Sequence, residues 1–545
     1  NELLNVNPTK IEKEKVAGFS VGTDVRIGDT VCLNKYVAII SSLNHPREEL
    51  TSRACTLARA AKVKGWNKLF DEHTAVWEAK WLQSDVIIDG DVAAQQAIRF
   101  NIFQLNQSYN GNDARLNISP KGFTGEKYAG ATRWDTEAIC VPFYLCTSPQ
   151  KVAKNLLLYR YRHLTKAIRN AEKLGFTNGA ALFPVATFNG TESYNEWEVT
   201  FEEVHRNGII AFAIYNYVRY TGDQNFLNEY GLRVLIAISR FWSQRVNIST
   251  EKKKYVLLGV TGPNIYENNV NNNWFTNYIA SWTLQYTIEC IENIKKSNFH
   301  VFEDLCQEIK FVNEEIFVWK DIVENMYLPE NKELGIFLQQ DGFLDKPLTL
   351  AADIPESQRP IFQHWTWDRI LRSSPLRQAD VLLGLYFFEE NFDVKTIKKN
   401  FDFYEPLTVH ESSLSASTHS IIASSVGDKQ KAYDLYVQTA RIDLDDYNNE
   451  VADGLHISSM AGTWLAIVQG FGGMRVKDDK LHLSPHIPEK WNAFAFNILF
   501  RENQLNVTVE KDRTVIQNVK GDNIELYLNN QLVEILAESQ REIKN

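Results

Sequence analysis

Between about residues 47 and 470 the apolar positions recur every three or four residues, the spacing of helices with one buried face. On either side of that stretch they alternate, as in strands. Val25-Arg26-Ile27, Val31-Cys32-Leu33 and Tyr36-Val37-Ala38-Ile39-Ile40 follow one another around a turn-prone Gly28-Asp29. So few strands do not close a sheet, since a lone hairpin is marginal in water. They read as the tail of a β-domain whose beginning is absent, or as strands that pair elsewhere.

Helix formers dominate Arg53-Ala54-Cys55-Thr56-Leu57-Ala58-Arg59-Ala60-Ala61, and apolar residues keep helical spacing over residues 94–102. Further helices are predicted over 152–174, 201–220 (stopped by Thr221-Gly222-Asp223), 232–245, 277–296 and 380–390. Between them run stretches rich in Trp, Tyr, His, Asn and acids, near 131–145, 184–200, 259–276, 360–378, 404–420 and 454–464, which read as loops. Polar-aromatic loops separated by apolar helices predict helices paired in a ring, with the loops gathered at one end as function-bearing segments. No internal repeat favours a solenoid. After Gly470-Phe471-Gly472-Gly473 the alternation returns at 481–483, 494–500, 505–509 and 524–528, predicting a small antiparallel β-domain.

Composition narrows the field. A net charge of −10 with 44% hydrophobic residues fits a folded chain and argues against nucleic-acid or anionic-membrane partners. No apolar run is long enough to cross a membrane, and residues 1–20 show no apolar core or small-residue cleavage site, so no signal peptide is expected in them. The chain begins at Asn1 without a methionine, which reads as trimming from a longer one. The six cysteines show no metal-like C-x-x-C pair and read as small buried apolar residues in a reducing, cytoplasmic setting.

Trp134-Asp135-Thr136-Glu137 offers an aromatic face for the C–H side of a pyranose beside a carboxylate that accepts from hydroxyls; by spacing alone a capped helix start accounts for it better. Ser412 and Ser413 read equally as caps of a following helix, and His456 as a buried, hydrogen-bonded residue. Longer motifs change the weighting. They are Asn117-Ile118-Ser119-Pro120-Lys121-Gly122-Phe123-Thr124-Gly125-Glu126-Lys127-Tyr128, Asn195-Glu196-Trp197-Glu198, Gly259-Val260-Thr261-Gly262-Pro263-Asn264-Ile265-Tyr266-Glu267-Asn268-Asn269, Gln363-His364-Trp365-Thr366-Trp367-Asp368-Arg369, Tyr404-Glu405-Pro406-Leu407-Thr408-Val409-His410-Glu411-Ser412-Ser413-Leu414-Ser415 and Gly454-Leu455-His456-Ile457-Ser458-Ser459-Met460-Ala461-Gly462-Thr463-Trp464. With these, nearly all of residues 20–520 resembles the maltose phosphorylases of glycoside hydrolase family 65.

The resemblance implies a mostly α fold: an (α/α)6 barrel with linker helices, the remnant of an N-terminal β-sandwich and a small C-terminal β-domain. The corresponding domains are residues 1–46 (truncated sandwich), 47–112 (helical linker), 113–470 (barrel) and 471–545 (β-domain). It implies a glycosyltransferase reaction, inverting phosphorolysis, in which an α-linked glucose disaccharide and phosphate yield β-glucose 1-phosphate and glucose. Inorganic phosphate is then the co-substrate and no other cofactor is needed; assembly as a homodimer or larger is implied too. By the same resemblance Trp134 and Asp135 floor the glucose pocket, Arg377 and Gln378 reach the sugar, and Ser412, Ser413 and His456 hold phosphate.

The chain departs from the family pattern where it matters most. Ile265 stands in the place of the general-acid glutamate. Arg377 replaces a lysine, exchanging a compact ammonium for a planar fork. Arg133 replaces an aromatic, and Tyr194 a histidine. Glu267 is the nearest substitute acid, but two residues of extended chain carry it about 6–7 Å further along, whereas a donor must come within about 3 Å of the leaving oxygen. Three readings follow: a phosphorylase with a relocated acid, an inactive relative that serves as a sugar-binding or structural subunit, and a hydrolase, which would need a carboxylate base in the Ser412-Ser413 loop.

Overall fold

The computed structural model describes residues 7–194 and 197–544, apart from the side chain of Trp197, so most of the Asn195-Glu196-Trp197-Glu198 motif lies outside the described residues. The chain divides into two compact units, residues 1–79 and 80–545.

The second unit is built around a closed ring of inner helices. In chain order these are Val141–Thr147, entered through a wide π-turn over Thr136–Cys140, then Arg206–Thr221, Trp274–Ser297, Val381–Phe387, Ser415–Ser425 and Ile457–Leu465. Each packs on the next and the last returns to the first. Val92–Ser108, Gln150–Arg162, Leu232–Arg245, Glu314–Asn325, Val394–Tyr404 and Lys429–Ala440 pack outside, giving an (α/α)6 barrel. Trp242, Trp274, Trp319 and Trp464 are fully buried between the layers. The inner helices approach closely enough to need glycine: a Cβ on Gly384 would lie 2.6 Å from the Trp274 ring, and one on Gly462 would lie 2.8 Å from the Ser417 Cβ.

Several sequence expectations change here. Of the stretches read as loops, those near 131–145 and 454–464 largely enter the inner helices, whereas 404–420 does so only from Ser415 onward. Every residue of Ile457–Leu465 is buried, as are Ser415 to Ala423. A helix surrounded on all sides has no polar face, so the amphipathic period that marks an outer helix is missing. Pro142 sits in the first turn of Val141–Thr147, where its missing N–H costs nothing. The predicted stop at Thr221-Gly222-Asp223 is observed: Gly222 takes φ +74° and donates to the Val218 carbonyl at 2.8 Å, and Asp223 caps the next turn through the Phe226 N–H.

The C-terminal strands form two sheets. One holds Ala493–Phe500, Asn503–Glu510, Arg513–Lys520 and Gln540–Lys544, and recruits Val86–Asp89, which precedes the barrel in the chain, as its edge. The other is not wholly antiparallel, because Ile524–Leu528 runs parallel to Lys480–Leu483. The barrel is thus bracketed by one β-domain whose strands come from both of its ends.

In the first unit, Thr9–Lys13 and Val16–Ser20 form a hairpin, and Leu50–Lys64 starts the helical stretch. The strands expected over 25–40 are not present; those residues pair with no strand among the described residues, and Ile27, Leu33 and Ile39 are fully exposed. An extended segment without a partner leaves its backbone groups to water and gains no ladder. All six cysteines are free; Cys140, Cys146 and Cys290 are buried as expected, whereas Cys32 and Cys55 are exposed. No helix is long and apolar enough to cross a membrane among the described residues.

Candidate active site

The loops that precede the inner helices meet at one end of the barrel and enclose a cavity of about 690 Å³. That is the size range of small-molecule sites. Its walls come from residues 120–135, 194 and 198–205, 262–268, 362–378, 411–414 and 450–458, each segment lying before or at the start of an inner helix. Six inner-helix N-termini therefore face this end, and several of their first N–H groups are already taken by loop carbonyls, as that of Trp274 is by Gln339 and that of Ile457 by Pro120.

Trp134 and Asp135 line the cavity. Trp134 is held edge-on by the His205 ring at 5.5 Å. Asp135 accepts from the Ser458 hydroxyl, and burial pushes its carboxyl above the usual range while Ser458 and Arg133 oppose that rise. The next two residues turn away and anchor the floor. Thr136 donates to the Ile118 carbonyl at 3.1 Å, and Glu137 accepts twice from Arg160 of Gln150–Arg162, at 2.7 and 2.8 Å, with both side chains buried.

Residues 259–270 form the opposite wall, pinned at both ends. Val260 and Val270 exchange backbone hydrogen bonds, and the Glu202 carboxylate accepts from the Thr261 hydroxyl and from Asn269. In the middle, the Asn264 N–H donates to Asp380, and the Gln378 amide donates to the Pro263 carbonyl at 2.7 Å. On this fixed backbone Ile265 presents its hydrocarbon to the cavity. Glu267 does not line it. Its carboxylate accepts both contacts of the Lys346 ammonium at 2.5 Å, and Lys346 also donates to the Leu371 carbonyl. The substitute acid weighed from sequence is thus buried behind the wall in an ion pair.

Arg377, also in the wall, lies over the rings of Phe362 and Tyr266 at 5.3 and 5.8 Å. Tyr266 donates its hydroxyl to Glu411, which also accepts from the Ile361 N–H. Ser412 and Ser413 line the cavity, and no side chain caps Ser415–Ser425; the Ser412 hydroxyl accepts instead from the Leu414 N–H at 3.3 Å, a local turn. His456 is both buried and at the cavity: Nδ1 contacts Asp443 at 2.7 Å, and Nε2 lies 2.9 Å from the Lys121 ammonium and 3.2 Å from Glu450. Burial alone would lower its pKa, but Asp443 and Glu450 outweigh it and hold the ring above the ordinary histidine value.

Arg133, Tyr194, Ile265 and Arg377, the four positions expected from sequence to depart from the family pattern, all line this one cavity. Two of them touch: the Arg133 guanidinium lies over the Tyr194 ring at 4.9 Å, with the Glu203 carboxylate at 3.8 Å. Sequence reading assigned no role to Lys121, Glu202, Glu203 or Glu450, although all line the cavity. Lys121 lies inside the motif at residues 117–128; the others sit among unremarkable acidic positions, and only the packing singles them out.

Asp380, beneath residues 262–264, is pushed up to about 7 by burial, against hydrogen bonds from Asn273 and the Asn264 N–H. The unfolded carboxyl titrates near 3.9, so the folded state keeps a proton across the interval between. This contribution to stability is complete below about pH 4 and is lost as pH rises through about 7. Asp380→Asn is accordingly expected to melt at a higher temperature relative to the parent at about pH 8 than at about pH 5. A constant difference in melting temperature across that range would show that Asp380 does not titrate there.

Comparison with known proteins sharpens the picture. The sequence model described as "Glycosyl hydrolase family 65 central catalytic domain" matches residues 99–465, with that family's N-terminal and C-terminal domains matching 2–80 and 474–535. Maltose phosphorylase of Bacillus subtilis (strain 168) is 49% identical over 94% of this chain and 67% of its own length. Alpha,alpha-trehalose phosphorylase of Thermoanaerobacter brockii is 39% identical over 93% of the chain and 65% of its own length. Among solved structures, a "putative kojibiose phosphorylase from human microbiome" superposes with a TM-score of 0.86 at 34% identity, over 92% of this chain and 73% of that one. The chain spans about two thirds of the length of these curated relatives.

Proposed function

The chain belongs to glycosyl hydrolase family 65, and from that footing we propose that its cavity takes an α-linked glucose disaccharide, maltose first, together with inorganic phosphate. In this reading Trp134, Asp135, Arg377 and Gln378 hold the glucosyl unit, and Ser412, Ser413 and His456 hold phosphate. A phosphate oxygen attacks the anomeric carbon as the glycosidic C–O bond breaks, and inversion yields β-glucose 1-phosphate. The departing sugar oxygen carries off the bonding pair and needs a proton. Phosphate is already an anionic nucleophile, so no general base is required, and positioning and charge stabilisation make up most of what the protein must supply.

The observation that carries the reading is Ile265 in the cavity wall with Glu267 turned away onto Lys346. Bond cleavage that depends on protonating an alkoxide is then slow, by roughly 10²–10⁴ relative to a site with its acid. α-Glucosyl fluoride, whose leaving group needs little protonation, is expected to yield glucose 1-phosphate in a phosphate-dependent reaction, while maltose is turned over far more slowly. Fast phosphorolysis of maltose by the unaltered chain would sink the reading. The same observation favours a second one, a sugar-binding or structural subunit without turnover. Its signature is a melting temperature raised by maltose while neither donor is consumed.

A further inference from the structure

The Glu450 carboxylate stands where an incoming anion would find its donors. It lies at the cavity wall, half-buried, with Oε2 at 3.2 Å from His456 Nε2 and Oε1 at 3.7 Å from the Lys127 ammonium. Lys121 Nζ, also in the wall, is 2.9 Å from the same His456 nitrogen. One ammonium group and an imidazole thus converge on a single carboxylate, and a second ammonium, that of Lys121, reaches the same imidazole. The other acids nearby are already committed: Asp443 holds His456 through Nδ1 and its backbone N–H, and Asp453 accepts from Lys127 at 2.8 Å.

An imidazole nitrogen carries one hydrogen or one lone pair in the ring plane, never both. When His456 Nε2 accepts from Lys121 it has nothing to donate; when it is protonated, its hydrogen goes to Glu450. With the hydrogen on Nε2, this ring has no donor free for a bound phosphate until Glu450 moves; without it, Nε2 offers phosphate no donor at all. A carboxylate left in place would also face a dianion across a partly dehydrated gap, where like charges repel more than in bulk water.

We propose that Glu450 is a specificity-determining residue of this cavity: its carboxylate competes with phosphate for His456 and Lys127 and so sets how readily the site admits an anion. The proposal rests on the phosphate-holding part of the function proposed above. Glu450 supplies no proton to the reaction and forms no bond to substrate; its effect is on the affinity for phosphate.

Isothermal titration of inorganic phosphate into the unaltered chain, Glu450→Gln and Glu450→Asp tests it, with glucose titrated into each to check that the sugar end is intact. Removing the charge in Glu450→Gln is expected to tighten phosphate binding by about tenfold, and withdrawing it by one methylene in Glu450→Asp by less. Glucose affinity stays unchanged. Equal or weaker phosphate binding in Glu450→Gln overturns the competition, and weaker binding would mark Glu450 as a support for His456 instead. If no form takes up phosphate while all bind glucose, the phosphate assignment itself fails and this proposal falls with it. Should Glu450→Gln not fold, Glu450→Asp decides by the same criterion.

Discussion

Ile265→Glu is expected to raise glucose 1-phosphate release from maltose and phosphate by roughly 10²–10⁴-fold. The backbone that would carry the new carboxylate is already fixed. The Val260 and Val270 pair, the Glu202 carboxylate, the Asp380 contact to Asn264 and the Gln378 contact to Pro263 hold it on both sides of position 265. The replacement therefore needs no rearrangement of the loop, only a polar head in place of a hydrocarbon at a half-buried wall. Asp135, Glu202, Glu203 and Glu411 line the same cavity, and their negative charge together with partial burial would raise the pKa of the new glutamic acid, keeping it protonated nearer neutrality, as a proton donor requires. Adding Glu267→Gln to Ile265→Glu should leave the gain intact, because Glu267 faces Lys346 and not the cavity. If Ile265→Glu binds maltose and still releases no product, the remaining departures at Arg133, Tyr194 and Arg377 are what disable the site.

The second large effect falls on stability. Glu137→Ala is expected to cost about 3–5 kcal/mol in chemical denaturation, because it leaves the Arg160 guanidinium buried without its partner. Arg160→Ala should cost a similar amount. Replacing both by apolar residues of like volume should cost clearly less than either single change, since no charge is then stranded. The pair of Arg372 with Asp368 is exposed on the surface, and its loss should go unnoticed. The Glu137 change should also weaken sugar binding, since Trp134 and Asp135 stand on the segment that this pair anchors. A single Glu137→Ala variant as stable as the parent would mean that water reaches the pair and the floor is held by other contacts.

How far the fold could be read ahead depended on which face of each helix meets water. The helical stretch predicted over 152–174 carries an apolar stripe, since Leu156, Tyr159 and Ala167 are buried while Arg162, Thr165 and Arg169 are exposed. Among the inner helices, Arg206–Thr221, Trp274–Ser297 and Val381–Phe387 lie where their apolar runs predict helix, but Ser415–Ser425 and Ile457–Leu465 give no such signal. Their serines and threonines satisfy themselves within the core, as Ser420 does by donating to the Ala432 carbonyl at 2.7 Å, and so imitate a polar loop. The strand Val86–Asp89 was equally hidden, because its partner in Ala493–Phe500 lies some four hundred residues further along the chain.

For the site, residue identity was decided along the chain: a hydrocarbon at position 265, a tryptophan–aspartate pair at 134 and 135, two serines at 412 and 413. A side chain's chemistry is a local property and needs no fold to be known. Which groups meet was decided only in three dimensions. Lys346 claims Glu267, Arg133 lies over Tyr194, and Glu450 stands against His456 and Lys127. Pairings of this kind depend on the closure of the helical ring, which brings the loops before six inner helices to one end. Ion pairing and proton affinity fall off within a few ångströms, so it is that closure which assigns each charge its partner.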